Sequence, residues 1–345
     1  MTMRIRHILV AVGNEARMPA SELRKVAILA RASGASVELF HAMTEPDPAA
    51  GYPETISVQT VRQRREALAA RHRRRLEHLA RDPSLRKVRV TCTAAWDHPP
   101  HEAVIRRALR TRADLVIAAA RDHRPGARLL LRNTDWELIR HCPVPVLLMK
   151  SRRVWQKPTV LAAVDPFHAH VRPADLDAHL LEVGTGYARL LKGQLHVFHA
   201  FMPLIDVDPA PFSGGVMTLI PPEVQEAHSR QVARTVGELA AAARVPSKRC
   251  HVRMGDVAGE LRTLTRRVRP GLVVMGAVSR SALKRLFIGN TAERVLDGLD
   301  CDVLVVKPRG FKSPVSTARR RTAASSARTA AAKRAGRRAA ATARF

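Results

Sequence analysis

Residues 271–306 read GLVVMGAVSRSALKRLFIGNTAERVLDGLDCDVLVV, and a similar stretch stands 157 residues earlier, where residues 114–149 read DLVIAAARDHRPGARLLLRNTDWELIRHCPVPVLLM. Each stretch has an apolar run at both ends, and an Asn-Thr pair opens an amphipathic segment before the second run. Short apolar runs of this kind are typical of strands that are buried on both faces. The repeat therefore predicts two copies of one strand–loop–helix–strand unit.

The repeat extends over most of the chain. ILVAV at residues 8–12 resembles VLAAV at residues 160–164, and Phe-His-Ala occurs at 40–42 and again at 198–200. Local offsets differ by a few residues, as insertions in loops would produce. The chain is therefore predicted to contain a first domain (1–150) and a second domain (157–307), joined by a basic linker at residues 151–156.

Strand and helix patterns alternate within each domain. Strands are predicted at 6–12, 36–42, 88–94, 114–119 and 144–149, then at 159–164, 195–201, 249–254, 271–275 and 302–306. Helices are predicted at 20–33, 59–80, 100–111 and 134–141, then at 173–191, 222–243, 257–268 and 291–298. This alternation predicts an α/β fold with two tandem, doubly wound, Rossmann-like parallel sheets.

The charge and the cysteine content of the chain indicate which partners and which cellular compartment to expect. The 345 residues include 59 Lys and Arg against 30 Asp and Glu, which gives a formal net charge of +29 and favours polyanionic partners. The four cysteines are far apart in sequence, which predicts buried thiols in a reducing compartment. The first apolar run is too short for a signal peptide, and no run is long enough to span a membrane. We therefore expect a cytoplasmic protein without membrane contact.

The loop between the two apolar runs of 271–306 is the candidate ligand site. In doubly wound sheets, ligands bind beyond the carboxyl ends of the strands. Gly276 ends a predicted strand, and Gly289 precedes Asn290 and Thr291, a good N-cap pair whose free N–H groups can bind an anion. Asp165 ends the first strand of this domain and could accept a hydrogen bond from a base amine.

A plain structural interpretation of the same loop stays open. A Gly before Asn-Thr is also an ordinary helix cap, and Gly after a strand is common. The loop lacks GxxxxGK[ST] and GxGxxG, so it is neither a Walker A loop nor the dinucleotide fingerprint.

The order of elements, the repeat and this loop resemble the universal stress protein family in its tandem form. ATP-binding members of that family carry G-x2-G-x9-G-[ST] before the last helix and an Asp after the first strand. Here Gly276 and Gly289 match, Ser279 replaces the second Gly, Asn290 with Thr291 replaces the last Ser/Thr, and Asp165 fits the Asp. The resemblance implies an adenine nucleotide alpha hydrolase-like fold, and ATP as the ligand of the second domain.

The first domain departs from that pattern. At the same offset, Gly276 is replaced by Ala119, Ser279 by Asp122 and Gly289 by Arg132. Asp122 adds negative charge where phosphates would lie, and Arg132 obstructs the approach to the backbone. We therefore expect one nucleotide site per chain, in the second domain.

The resemblance also bears on assembly. In single-domain members the last strand pairs two subunits. Residues 144–149 and 302–306 are repeat equivalents, so they are expected to pair within one chain as an intramolecular pseudo-dimer. A homodimer of the whole chain stays open.

Other polar groups in the sequence resemble parts of functional sites but lack the context that such sites require. His98 and His101, with Asp97 and His123 nearby, resemble a metal cluster, but Pro99 and Pro100 favour a loop entering a helix. The repeat equivalents His41 and His199 are expected to be hydrogen-bonded core histidines that could line a pocket. Ser213-Gly214-Gly215 lacks the context of a hydrolase elbow. The sequence thus predicts no metal site, no catalytic set and no enzyme.

Two basic segments remain. Seven arginines in the helix at 59–80 are expected to form a solvated face. Residues 308–345 hold eleven Lys and Arg, no Asp or Glu, and few large apolar residues, which predicts a disordered tail. Such a tail could bind nucleic acid or polyphosphate without sequence preference. The alternative to a nucleotide-binding stress protein is thus a nucleic-acid-associated stress protein that acts through this tail.

Overall fold

The computed structural model describes residues 4–13, 18–43, 58–119, 133–168, 175–204, 206–207, 217–218, 220–276 and 290–317. Ser279, Gly289, Asp122, Arg132, His123, Ser213 and most of the predicted tail lie outside these ranges. Within them, no helix combines the length and apolar composition that a membrane crossing requires.

The first domain has the predicted alternation of strands and helices. Its elements are β1 (His7–Ala11), α1 (Ala20–Ser33), β2 (Ser36–Met43), α2 (Val58–Ala80), β3 (Val90–Trp96), α3 (Pro100–Thr111), β4 (Leu115–Ala119), α4 (Asn133–His141) and β5 (Val146–Met149). The central strands are shielded on both faces; Ile8, Leu9 and Val10 are all fully buried. The strands are apolar at nearly every position because the sheet is covered on both faces, as the near-continuous apolar runs predicted.

The second domain repeats the same order. Its elements are β6 (Thr159–Ala163), α5 (Leu176–Leu190), β7 (Gln194–Phe201), β8 (Asp206–Val207), β9 (Met217–Thr218), α6 (Pro222–Ala242), β10 (Cys250–Met254), α7 (Val257–Val268), β11 (Leu272–Gly276), α8 (Asn290–Gly298) and β12 (Asp302–Val306). The antiparallel pair β8–β9 was not predicted, because two-residue strands carry no periodic pattern.

Ten strands form one sheet, in the order β10-β7-β6-β11-β12-β5-β4-β1-β2-β3. The strands are parallel within each domain, and β12 pairs with β5 antiparallel, with Leu304 opposite Leu147. The doubly wound α/β prediction is confirmed, and the two last strands pair as the repeat predicts. The two domains thus share one continuous sheet, with a separate apolar core on each face.

The surface features of the first domain also follow the sequence. All seven arginines of α2 are exposed: Arg62, Arg64, Arg65, Arg71, Arg73, Arg74 and Arg75. Because α2 keeps only a narrow stripe against the sheet, with Leu76 fully buried, the rest of its circumference is solvated.

The structured chain continues a short way into the predicted tail. Val315 packs against the core that lies beneath α3, α4, α7 and α8. The Arg309 guanidinium forms an ion pair with Glu182 of α5. The first ten residues of 308–345 are therefore among the described residues, and only 318–345 fall outside them.

A buried ion pair lies at the junction of the two domains. Lys25 Nζ of α1 donates to Asp302 Oδ2 of β12 at 2.6 Å, and both side chains are fully buried. Asp302 Oδ1 also accepts the backbone N–H groups of Lys150 and Ser151, each at 2.9 Å. Burial raises the pKa of Asp302, whereas Lys25 and the two N–H groups oppose that rise. One carboxylate thus connects α1, β12 and the start of the linker.

The linker is held against both domains by Trp155. Its indole N–H donates to the Gly271 carbonyl at 3.1 Å, and Lys25 Nζ lies 5.5 Å from the centre of its ring. The linker therefore packs as part of the junction, with Trp155 only 5% exposed.

We predict that Lys25→Met destabilises the whole chain by ~3–5 kcal/mol, because it leaves the Asp302 carboxylate buried without its cation. Urea unfolding followed by circular dichroism measures the change. The double variant Lys25→Met/Asp302→Asn should recover most of that loss. As a control, Arg230→Ala removes the exposed Arg230–Glu226 pair and should cost less than ~1 kcal/mol. A Lys25→Met effect no larger than that control would contradict the role of the pair.

Candidate functional site

The carboxyl ends of β6 and β11 form the candidate site of the second domain. The two strands are neighbours, with Ala163 opposite Met275, although they are not consecutive in the chain. The strand order reverses here, which is where doubly wound sheets bind ligands. Asp165 follows β6 and Gly276 ends β11, so the structure brings these two predicted site residues to one edge.

The start of α8 faces the same side of the sheet. Helix α8 begins at Asn290, one residue earlier than predicted, so Asn290 lies in the first turn with Thr291 and is not the predicted cap. Because α8 connects the carboxyl end of β11 to the amino end of the parallel β12, its N-terminus lies toward the carboxyl edge. Its free N–H groups carry the positive end of the helix dipole there. Ser279 and Gly289, the remaining predicted site residues, lie outside the described residues.

Asp165 is joined to α5 through a second carboxylate. The Asp165 backbone N–H donates to Asp177 Oδ1 at 3.0 Å, and Asp177 lies in the first turn of α5. Sequence reasoning did not find Asp177, because twelve residues separate it from Asp165 and only the return of α5 over the sheet places it there. The α5 side of this edge thus carries carboxylates, whereas the α8 side carries helix N–H groups.

Gly276 has a packing requirement of its own. A Cβ at this position would lie 3.1 Å from Leu176 Cδ2 and 3.7 Å from Leu180 Cδ1, both on α5. Those distances are tighter than ordinary van der Waals contact or just within it. The Gly therefore lets the start of α5 approach the end of β11, in addition to keeping the edge open.

His199 is a further polar group at this edge. It lies next to the end of β7, is 3% exposed, and its Nδ1 is 3.0 Å from the Val164 carbonyl oxygen. Since a carbonyl oxygen only accepts, Nδ1 donates to it. Nε2 has no hydrogen-bond partner among the described residues. Phe167 lies beside the ring, with centroids 5.4 Å apart.

The equivalent histidine of the first domain has similar backbone contacts but a different neighbour. His41 is 1% exposed, and its Nδ1 lies 2.9 Å from the Val12 carbonyl oxygen. Its ring stacks on His72 of α2, with centroids 4.7 Å apart. The prediction that His41 and His199 are hydrogen-bonded core histidines is confirmed, and His72 fills the space over the first of them.

The residues around the His-Pro-Pro-His segment separate into two groups. Asp97 accepts from Arg106 Nε and Nη2 at 2.9 and 2.7 Å, so its carboxylate is used by a buried arginine. Helix α3 begins at Pro100, which confirms that the segment is a loop entering a helix. His101 approaches α4 instead, where it lies near Glu137 and His141. Only the Glu137–His141 spacing of four residues hinted at this group in the sequence.

A large groove lies at the opposite edge of the second domain. It has a volume of about 980 Å³ and runs between the linker and the end of α7. Five cationic side chains line it: Arg153, Lys157, Arg262, Arg266 and Arg269. This groove is distinct from the predicted nucleotide edge.

A model of the universal stress protein family matches the chain twice, over residues 4–150 and 159–307. The two matches correspond to the two repeats and to the two sets of strands in the sheet. The chain therefore belongs to the universal stress protein family, in a tandem two-domain form.

Relatives and solved structures agree with this assignment. Universal stress protein E of Photorhabdus laumondii is 26% identical over 233 residues, which is 67% of this chain and 73% of that protein. Universal stress protein E of Escherichia coli K12 is 27% identical over 233 residues, 66% of this chain and 71% of its own. A universal stress protein structure from Pseudomonas aeruginosa UCBPP-PA14 has a TM-score of 0.64 at 26% identity, covering 88% of this chain and 94% of that one.

A stacked histidine pair on β7 and β10 makes the stability of the folded protein depend on pH in the acid range. His196 Nδ1 lies 3.0 Å from His251 Nε2, and burial, followed by the charge of His251, lowers the pKa of His196 from 6.5 to about 4. A ring that is harder to protonate when folded stabilises the protein fully above pH 6.5, and that stability is lost as the pH falls towards 4.

We predict that His196→Gln flattens the loss of stability between pH 7 and pH 4.5. The expected difference is about 1–2 kcal/mol, discounted for the partial exposure of the ring. Urea unfolding at a series of pH values measures it. The exposed His78→Gln serves as the control and should leave the slope unchanged. An identical slope in His196→Gln and the wild type would exclude this pair as an acid-sensitive group.

Proposed function

We propose that this tandem universal stress protein is a cytoplasmic stress-response protein that binds an adenine nucleotide, with ATP as the first candidate, in its second domain. The observation that carries the proposal is the convergence of Asp165, Gly276 and the start of α8 at the point where the strand order reverses. Asp165 and Gly276 match the motif positions of the ATP-binding family members. The proposed role is binding rather than turnover, so the protein acts as a sensor and not as an enzyme.

The charge distribution supports a definite orientation of the ligand. Asp165 and Asp177 lie on the α5 side, where carboxylates can accept hydrogen bonds from a base amine or ribose hydroxyls. The helix start at Asn290 lies toward the other side, where N–H groups and the helix dipole favour phosphates. The base would therefore lie near β6 and β7, and the phosphates near α8.

His199 extends the proposed base side. The neighbouring Phe167 ring offers an aromatic face to a flat heterocycle, whereas Nε2 of His199 is buried and reaches a ligand only after a local rearrangement of the site. Phe167 is 41% exposed, so its ring is accessible from solvent. In the first domain the His41 ring stacks on His72 of α2. The expectation of a single nucleotide site rests on Ala119, Asp122 and Arg132, which replace the motif residues there.

We predict one ATP site per chain in isothermal titration calorimetry. Gly289→Arg, which introduces the residue found at the same offset in the first domain, should abolish the heat of binding. His199→Phe should weaken binding about fivefold, the value of one lost hydrogen bond of about 1 kcal/mol. The matched first-domain variant His41→Phe should leave affinity unchanged, with thermal unfolding confirming that both variants fold.

Three results would contradict this proposal. They are an absence of heat from the wild type, unchanged binding in Gly289→Arg, and two ATP sites per chain. Loss of binding in His41→Phe but not in His199→Phe would be a fourth contradiction, because it would place the nucleotide site in the first domain.

A second function, contact with nucleic acid or polyphosphate, is favoured by the cation distribution. Nine of the eleven Lys and Arg of 308–345 lie beyond residue 317, outside the described residues. The groove of five cations beside the linker adds a basic surface on the folded body. Both features attract phosphates without reading bases.

We predict that deletion of residues 318–345 weakens binding to random-sequence DNA and lowers its salt dependence. The deletion begins at 318 because Val315 and Arg309 make contacts with the folded body. Fluorescence anisotropy at two or more salt concentrations measures both effects, and each lost phosphate contact should reduce the slope of log K against log salt by ~0.9. A full-length variant with these nine cations changed to Gln controls for chain length. Equal binding by all three proteins would exclude the tail as a binding element.

A further inference from the structure

Three side chains on α3 and α4 present metal-ligand atoms to one point. His101, Glu137 and His141 each offer a nitrogen or oxygen atom, and these atoms all lie within 4.8 Å of one another. Glu137 and His141 are four residues apart on α4, so they share one face of that helix. His101, the second residue of α3, supplies the third atom from the neighbouring helix.

The separations are close to those that a bound ion requires. Ligand atoms about 2.0–2.2 Å from a tetrahedral Zn²⁺ lie roughly 3.3 Å from each other. His141 Nδ1 is already 3.1 Å from Glu137 Oε2. The ligand atom of His101 lies within 4.8 Å of the other two, and the His101 and His141 ring centroids are 6.2 Å apart, so the His101 ring must move closer for all three atoms to reach one ion.

The chemical state of the ligands suits a transition metal. Burial lowers the pKa of both His101 and His141, and the uncharged imidazole is the form of histidine that binds a metal ion. Glu137 and His141 side chains are 27% and 16% exposed, which leaves a route for an ion and for a water as the fourth ligand. Two imidazoles and one carboxylate with an open position form a ligand set that Zn²⁺ uses in proteins.

Nearby cationic side chains oppose the binding of a metal ion, by competition for its ligands and by charge repulsion. Arg140 Nη1 lies 2.8 Å from Glu137 Oε1 and competes for the carboxylate. Lys307 and Arg140 repel positive charge at His141, and Arg106 does so at His101. Glu102 and Glu137 provide the opposing negative charge at both histidines. The surroundings therefore predict a modest affinity that rises when Arg140 is removed.

The equivalent helices of the second domain, α7 and α8, are connected by a different contact. The positions equivalent to His101, Glu137 and His141 are Ala258, Arg294 and Gly298. There Arg294 of α8 forms an ion pair with Asp256, the N-cap of α7, at 3.0 Å. A direct ion pair thus connects α7 to α8, whereas the first domain places three ligand atoms between α3 and α4.

We propose that His101, Glu137 and His141 bind one divalent transition-metal ion of the zinc class, which ties α3 to α4 in the first domain. The ion takes two imidazole nitrogens and one carboxylate oxygen from the protein and keeps an open position for water. The site is separate from the proposed nucleotide edge, since it lies in the other domain.

The experiment uses the full chain, purified without a histidine tag and stripped of metal. Titration with Zn²⁺ should show one site per chain, and Co²⁺ should give the visible bands of a four- or five-coordinate ion with nitrogen and oxygen ligands. His101→Ala, Glu137→Gln and His141→Ala should each weaken binding by at least ~10-fold. Zn²⁺ should raise the melting temperature of the wild type and not that of these variants.

Two further variants make the result specific. Arg140→Gln should bind Zn²⁺ more tightly than the wild type, because it frees Glu137 Oε1 from its competitor; a merely structural role of the cluster would not produce that gain. His196→Gln alters the close His196–His251 pair of the second domain, and this variant should bind Zn²⁺ as the wild type does.

Several outcomes would overturn the proposal. They are an absence of stoichiometric binding, binding that survives in all three ligand variants, and binding lost in His196→Gln instead. If His101→Ala or His141→Ala fails to fold, the near-isosteric Glu137→Gln and the opposite response of Arg140→Gln still decide the question. ATP binding by the second domain is unaffected in every case, so this proposal and the nucleotide proposal fail independently.

Discussion

The pairing of β5 with β12, secured by the Lys25–Asp302 ion pair, is the constraint on which the rest of the structure depends. The edge strands of two sheets meet there, and their exposed backbone groups are satisfied by each other. Asp302 adds specificity, because a buried carboxylate tolerates only an arrangement that supplies Lys25 and the two N–H groups at the start of the linker. The ten-stranded sheet follows from this junction, and it fixes where each domain presents its ligand edge.

On this shared scaffold the two domains have diverged at their polar positions. The carboxyl edge of the second domain keeps Asp165, Gly276 and an exposed Phe167 beside the buried His199, whereas His41 of the first domain stacks on His72. Among the described residues, a cluster of three metal-ligand side chains occurs between α3 and α4 of the first domain and not between α7 and α8 of the second.

Much of the fold could be predicted because its signals are local. Apolar runs such as residues 8–12 and 302–306 mark strands wherever they occur, and their repetition specifies two domains. Asp165 and Gly276 could also be placed, since both follow strands of known order. Asp177 and His101 could not, because their partners lie on other elements (Asp165 after β6, Glu137 and His141 on α4) and only the packing of the helices over the sheet brings the atoms together. Ser279 and Gly289 remain predictions.

The sequence by itself determined the fold class and the two-domain division, because apolar periodicity marks the strands and helices and a repeat marks the two copies. The pairing of the last strands was expected from the resemblance to the universal stress protein family, and the structure confirms it. The edge at which a ligand binds stays a prediction. Only the tertiary structure decided that Gly276 also makes room for Leu176, that Lys25 neutralises Asp302 across the junction, and that three ligand atoms converge between α3 and α4. Each of these depends on the distance between side chains far apart in the chain, which helix packing sets and local pattern does not.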